Sequence, residues 1–157
     1  MIGKDEFERQ VLECQSQMYR LALSIMKKQQ DAEDVVSDAI ISAFEHRNIL
    51  RDPSKFKSWI MTIVANNAKT ALRKKKREEL TDMFDDLSQP VVSREGSGTE
   101  LWDAVMKMKE KYSKVIVLYY YFGFSTKEIG KMLRITQGAV KTRLDRARES
   151  LKKDLMV

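Results

Sequence analysis

STKEIGKMLRITQGAVKTRLDRAR, residues 125–148, decides the architecture of this chain. It reads as two short helices joined by a tight turn. Ser125 and Glu128 form an S-x-x-E start, in which each side chain satisfies an orphan N–H of the first turn. Ile129, Met132 and Leu133 fall at i, i+3 and i+4 and give the first helix one buried face. Arg134 and Ile135 make the turn, and Thr136 is the expected N-cap of the second helix. That helix sets Val140, Leu144, Ala147 and Leu151 on one stripe, with Lys141, Thr142, Arg143, Arg146, Arg148 and Lys152 on its other faces. A run of Lys and Arg on a helix is most often a solvated face. Here the cap, the turn spacing and the basic second helix occur together, the combination that fits the major groove of DNA.

Charge supports a polyanionic partner. Residues 1–77 hold 15 basic and 10 acidic side chains, residues 78–98 hold 1 and 6, and residues 99–157 hold 13 and 7. Two basic blocks thus flank an acidic connector, as suits a chain that grips phosphates at two places and releases counterions at each. Few β-branched alternations and only two prolines, Pro53 and Pro90, argue against a sheet. Cys14 is the only cysteine, which excludes a disulfide framework and fits a buried free thiol in a reducing compartment. No apolar run approaches the length of a membrane span, and MIGKDEFERQ at the N-terminus has no signal-peptide core. The expected location is the cytoplasm, with no membrane insertion.

Upstream, Phe7, Val11, Cys14, Met18, Leu21, Ala22 and Ile25 keep helical spacing and predict one long helix over 4–27. Lys27 to Gln30 form a polar break, and Asp31 is the expected cap of a second helix. Val35, Val36, Ala39, Ile40 and Ala43 give it a buried face and leave Ser37, Asp38, Ile41, Ser42 and Glu45 outside. His46 is solitary and reads as a helix-end residue. Residues 47–52 form a loop, with Asp52 as a cap and Pro53 at the first helical position.

The third helix carries two stripes. One is apolar: Phe56, Trp59, Ile60, Ile63, Val64, Ala68 and Ala71. The other, Thr62, Asn66, Lys69 and Arg73, is polar and runs into the cationic stretch Arg73–Arg77. Residues 78–98 lose the pattern and read as a flexible acidic linker, with at most a helical turn near Leu80–Leu87. Thr99 caps the next expected helix, whose stripe is Leu101, Val105, Met108 and Tyr112. Another, with Val115, Leu118, Tyr119 and Phe122, stops at Gly123. Tyr119-Tyr120-Tyr121 diverge on a helix and suit core and partner contacts better than base stacking.

The sequence has no Gly-rich phosphate loop, no Cys/His metal cluster and no Ser/His/Asp set. The chain reads as a binding device rather than an enzyme, with no metal and no cofactor.

DAEDVVSDAIISAF (31–44), FKSWIMTIVANNAKTALRKKKR (56–77) and residues 125–148 together resemble a bacterial RNA polymerase sigma factor of the extracytoplasmic-function class. The resemblance covers nearly the whole chain. It implies an all-α fold of two small helical domains. Residues 1–77 would bind core polymerase and recognise and melt the −10 element, 78–98 would be the linker, and 99–157 would read the −35 element. The family's third domain is replaced by the linker.

Carried over by residue, Asp34, Ser37, Asp38 and Ile41 would meet the β′ clamp helices of core RNA polymerase. Ser37-Asp38 stands where the family usually has Gln-Glu. Asn48, Arg51 and Lys55 in the loop, with Asn66, Lys69 and Arg73 on the third helix, would handle the −10 element. Gln137, Lys141, Thr142, Arg143, Asp145 and Arg146 would face the −35 element. Thr62 replaces a common Arg, Arg134 a common turn glycine, and Asp145 puts a carboxylate where phosphate is near. The implied partners are core polymerase, with its β flap as a second contact, promoter DNA and an anti-sigma factor in a stress response. The rival reading is a helix–turn–helix repressor or activator with an N-terminal sensing or dimerisation domain, which leaves the basic stripe at 62–77 unexplained.

Overall fold

The computed structural model describes residues 2–81 and 99–155. Within them the chain is helical, without strands: α1 (Lys4–Met26), α2 (Gln29–Glu45), α3 (Phe56–Thr81), α4 (Glu100–Lys107), α5 (Glu110–Ile116), α6 (Thr126–Leu133) and α7 (Gln137–Leu155). The first three form one bundle and the last four another.

The α1 stripe is buried as its spacing predicts, from Phe7 through Ile25. Phe7 meets Phe44 and Phe56 edge-on, with ring centroids 5.4 and 5.7 Å apart, and so ties the three helices at one end. The helix stops at Lys27, whose left-handed φ of 69° ends the α-helical bonding. Cys14 is buried, and burial pushes its thiol pKa up, which keeps it inert.

The start of α2 differs from expectation. Lys28, not Asp31, is the N-cap, without a side-chain cap bond. Asp31 sits in the first turn and accepts instead from Lys75 Nζ on α3 at 2.6 Å. A tertiary partner outcompetes the local cap.

The loop before α3 is more ordered than a plain connection. It holds short 3₁₀ turns at Arg47–Ile49 and Pro53–Lys55, and Leu50 is buried between them. Asp52 caps the second turn by accepting from the Ser54 N–H at 3.1 Å and its hydroxyl at 2.7 Å. These bonds hold its carboxyl below the usual range, the hydroxyl bond first. α3 then runs to Thr81, beyond the expected end at Arg77. Of the turn expected near Leu80–Leu87, residues 82–87 lie outside the described residues.

In the C-terminal bundle Thr99 caps α4, accepting from the Trp102 N–H at 3.0 Å. The single stripe Leu101–Tyr112 does not hold, because Met108 is extended and splits it into α4 and α5. Trp102, Val105 and Met106 form the buried face of α4, while Leu101 is exposed. A wider π turn, Val117–Tyr121, continues α5, and Gly123 ends it with φ 78°.

The helix–turn–helix closes as read. Ser125 and Glu128 make both bonds of the capping box. Thr136 accepts from the Ala139 N–H at 3.0 Å. Arg134 carries the left-handed turn at φ 59°, a conformation a glycine would adopt at less cost. Glycine is needed instead at Gly130, where a Cβ would stand 2.9 Å from the Ile135 carbonyl oxygen.

The bundles pack against each other across the C-terminal end of α1. Ser24 and Ser113 are fully buried there. The Ser113 hydroxyl donates to the Ser24 carbonyl at 2.6 Å and accepts from Lys27 Nζ at 2.8 Å. Nearby, the Arg20 guanidinium lies 6.0 Å from the Trp102 ring centroid, and the Lys57 ammonium lies 5.8 and 5.5 Å from those of Phe122 and Phe124. Burial pulls the Lys27 pKa down to about 8, partly opposed by the Glu110 carboxylate.

Two outcomes follow from this packing. Lys27 binds its proton more weakly in the packed state than in water. Below about pH 8 it is charged in both states, and the desolvation cost opposes packing in full. From about pH 8 up to its ordinary 10.5 the packed state sheds the proton, so packing strengthens as pH rises. Small-angle scattering on either side of pH 8 should show a smaller radius of gyration at the higher pH, and Lys27→Met should flatten that response. Gly130→Ala should lower stability by about 1–3 kcal/mol in urea unfolding, because a backbone oxygen blocks the new methyl. Gly138→Ala, whose Cβ meets only the Thr136 hydroxyl at 3.9 Å, should be neutral or slightly stabilising.

Candidate polymerase and nucleic-acid interfaces

Three surfaces emerge. The first is the outer side of α2, where Asp34, Ser37, Asp38 and Ile41 are all exposed. Ile41 is 59% exposed, a large apolar side chain beside two carboxylates. Asp34 also accepts from Gln30 Nε2 at 3.1 Å. Next to this face a groove of about 590 Å³ runs between α1 and α2, with Val36 and Ile40 on one wall and Leu12 and Tyr19 on the other. Leu12, 66% exposed, lies off the α1 core stripe. Its exposed position on an otherwise polar face was the only signal for it in the sequence. An acidic, partly apolar ridge beside a groove is the shape that receives a helix of a partner.

The second surface is the loop before α3 with the polar stripe of α3. Asn48, Arg51 and Lys55 project from the loop, all exposed. The loop is held from behind by Leu50 and by Arg47, whose guanidinium lies 4.0 Å from the Phe44 ring centroid and donates to the Phe44 carbonyl at 2.9 Å. Donors on a loop so fixed cost less ordering entropy when a ligand arrives. Along α3, Asn66 is half-buried, while Lys69 and Arg73 are exposed. Thr62 turns its hydroxyl back to the Ser58 carbonyl at 2.7 Å, so it presents little to a ligand.

The third surface is α7, with Lys141, Thr142, Asp145 and Arg146 exposed on it. Gln137 donates to the Thr126 hydroxyl at 2.8 Å, joining the first turn of α7 to that of α6. Asp145 accepts from Arg148 at 2.7 Å. Arg146 lies against the Tyr112 hydroxyl, and with Lys111 helps to hold that phenol's pKa down against desolvation. Arg143 is set apart from the other five residues. It is half-buried and lines a groove of about 290 Å³ between the bundles, together with Lys69, Arg73 and Lys76 of α3, Leu133 and Ile135, and one carboxylate, Glu110. The two candidate DNA-binding surfaces therefore share one cationic groove in this arrangement.

Comparison with known proteins places both halves of the chain in one family. The sigma-70 region 2 profile matches residues 11–78, and the sigma-70 region 4 profile matches residues 99–151. The chain is 32% identical to the extracytoplasmic-function sigma factor SigW of Bacillus subtilis, over 88% of this chain and 82% of that protein. It is also 32% identical to the sigma factor SigV of the same species, over 82% and 78%. Among solved structures it resembles the sigma factor RpoE in its complex with the anti-sigma factor NepR from Bartonella quintana. That likeness has a TM-score of 0.82 at 25% identity, over 98% of this chain and 99% of that one. The structure of CnrH with the cytosolic domain of CnrY aligns with a TM-score of 0.64 at 24% identity, over 95% and 86%. No helix among the described residues is long and apolar enough to cross a membrane. With both sigma regions matched in order and the helix–turn–helix closed as its sequence requires, the chain belongs to the extracytoplasmic-function class of bacterial RNA polymerase sigma factors.

Proposed function

We propose that this sigma factor docks on core RNA polymerase through the exposed α2 face and reads its promoter with two separate heads. Asp34, Ser37, Asp38 and Ile41 would meet the β′ clamp helices, with the groove beside Leu12 widening the contact. Asn48, Arg51 and Lys55, with Asn66, Lys69 and Arg73, would hold the −10 element. There Asn66 offers donor and acceptor to an unstacked base while the cations grip the backbone. Lys141, Thr142, Asp145 and Arg146 would read the −35 element in the major groove, with Gln137 placing the start of the helix. The polymerase carries out nucleotide addition, and this chain supplies recognition and melting in the cytoplasm. The observation that carries the reading is one chain with two cationic surfaces, each built on a fixed scaffold and each separate from the acidic-apolar α2 face.

Arg143 becomes a −35 contact only if the groove opens. The two elements lie about two dozen base pairs apart at ~3.4 Å each, a span on the order of 80 Å. Surfaces that line one small groove do not span that distance, so promoter engagement separates the bundles. An anti-sigma factor of this chain would favour the closed arrangement. Its solved relatives RpoE and CnrH were captured with NepR and with the cytosolic domain of CnrY.

Transcription from a linear promoter template by bacterial core polymerase, with and without the protein, tests the reading. Initiation should require the protein. Asn66→Ala should reduce open-complex formation, and Arg146→Ala should weaken promoter binding, each by about tenfold for one lost contact. A silent polymerase on a promoter-rich library, with the protein alone shifting duplex DNA as a dimer, would favour a regulator instead.

A further inference from the structure

The π turn and the outer end of α7 meet at a polar cluster. The Phe122 N–H bonds to the Val117 carbonyl at 3.1 Å, five residues back, so this turn is wider than an α-helical one and re-aims the side chains it carries. Of the three consecutive tyrosines, Tyr121 packs edge-on against Trp102 at 5.2 Å, and Tyr119 is half-buried. Tyr120 stands outside, 53% exposed, with its ring braced edge-on by Tyr119 at 4.9 Å. Its hydroxyl accepts from Arg148 Nε, and the guanidinium lies 5.6 Å from the ring centroid. Arg148 Nη1 in turn donates to Asp145 Oδ1 at 2.7 Å. One planar fork thus joins a fixed aromatic ring to the only carboxylate among the α7 residues assigned to DNA.

Asp145 lies on the exposed side of α7, one turn beyond Lys141 and Thr142, while Val140, Leu144 and Ala147 are buried. A carboxylate can only accept, and beside phosphates it repels unless its charge is offset. Arg148 offsets that charge, and its fork leaves the second carboxylate oxygen free of this bond. The base donor that a carboxylate takes in the major groove is the cytosine N4 amine.

We propose that Asp145 sets base preference at one position of the −35 element by accepting from a cytosine amine, with Arg148 and Tyr120 as positioning residues that fix its carboxylate. This rests on the sigma reading of α7 and adds a residue-level basis for promoter choice.

The test uses full-length protein, core polymerase and a promoter library randomised across the −35 element, read as base frequencies in the transcribed templates. Wild type should favour cytosine on one strand at one column. Asp145→Ala should reduce that preference by about tenfold and leave the other columns intact, which also shows that the variant folds. Asp145→Asn should move the same column toward adenine, which an amide reads with donor and acceptor together. Tyr120→Phe, which keeps the ring and removes the hydroxyl, should weaken the same column alone. The proposal is overturned if Asp145→Ala leaves every column unchanged and alters only the salt dependence of initiation. Asp145 would then merely hold Arg148 against phosphate. It is equally overturned if Tyr120→Phe lowers all columns uniformly. A wild-type protein that supports no initiation would instead remove the sigma reading on which the proposal stands.

Discussion

The C-terminal end of α1 is the structural feature that both halves of this molecule share. There a buried serine of one bundle donates to a buried carbonyl of the other, and the ammonium of Lys27 closes the remaining hydroxyl valence. Buried polar groups are tolerated only when satisfied, and each of these is satisfied by the opposite bundle. The seam is therefore specific in register. It also carries a cost, since it desolvates Lys27, which binds its proton more weakly in the packed state than in water. Arg20 over Trp102 and Lys57 over the two phenylalanines add attraction at its margin without sealing it. The buried apolar residues on the two sides of the seam belong to one continuous cluster.

On the proposed reading the seam has a functional consequence. Closing the seam brings the cations of α3 and Arg143 of α7 around one groove. Like charges facing one another resist closure, while a polyanion between or beyond them changes the balance. DNA is such a polyanion, and under the proposed function its two recognition elements would lie too far apart for the closed form. The α2 face stays outside the groove throughout. On the proposed reading, polymerase docking and promoter recognition would use separate surfaces, and only the second would require the bundles to part.

Much of this was legible in the sequence, where local rules and tertiary packing point the same way. The α1 stripe, the Ser125–Glu128 capping box, the Thr136 cap, the Asp52–Pro53 start and the Gly123 stop all follow from side chains acting on their own turn. The misreadings fall where a distant partner intervenes or where no local signal exists. Asp31 has the chemistry of a cap, but Lys75 takes it from 44 residues away. The break at Met108 carries neither Gly nor Pro, and the spacing of Leu101, Val105, Met108 and Tyr112 runs through it undisturbed. Ser24 and Ser113 look like ordinary helix serines until the bundles meet. The candidate site residues were visible as polar and cationic positions, yet two features of their surroundings were not. Arg143 turns toward the seam because α7 packs there, and Tyr120 reaches Arg148 because the π turn re-aims it.

The central claim is that the seam closes the free protein and opens on the promoter. Resonance energy transfer between dyes on the exposed positions Glu8 of α1 and Lys153 of α7 measures it directly. The free protein should give one distance, and in a core-polymerase complex on promoter DNA the same pair should lengthen by tens of ångströms, on the order of the spacing between the two elements. An unchanged distance in complexes that go on to make transcript would contradict the account.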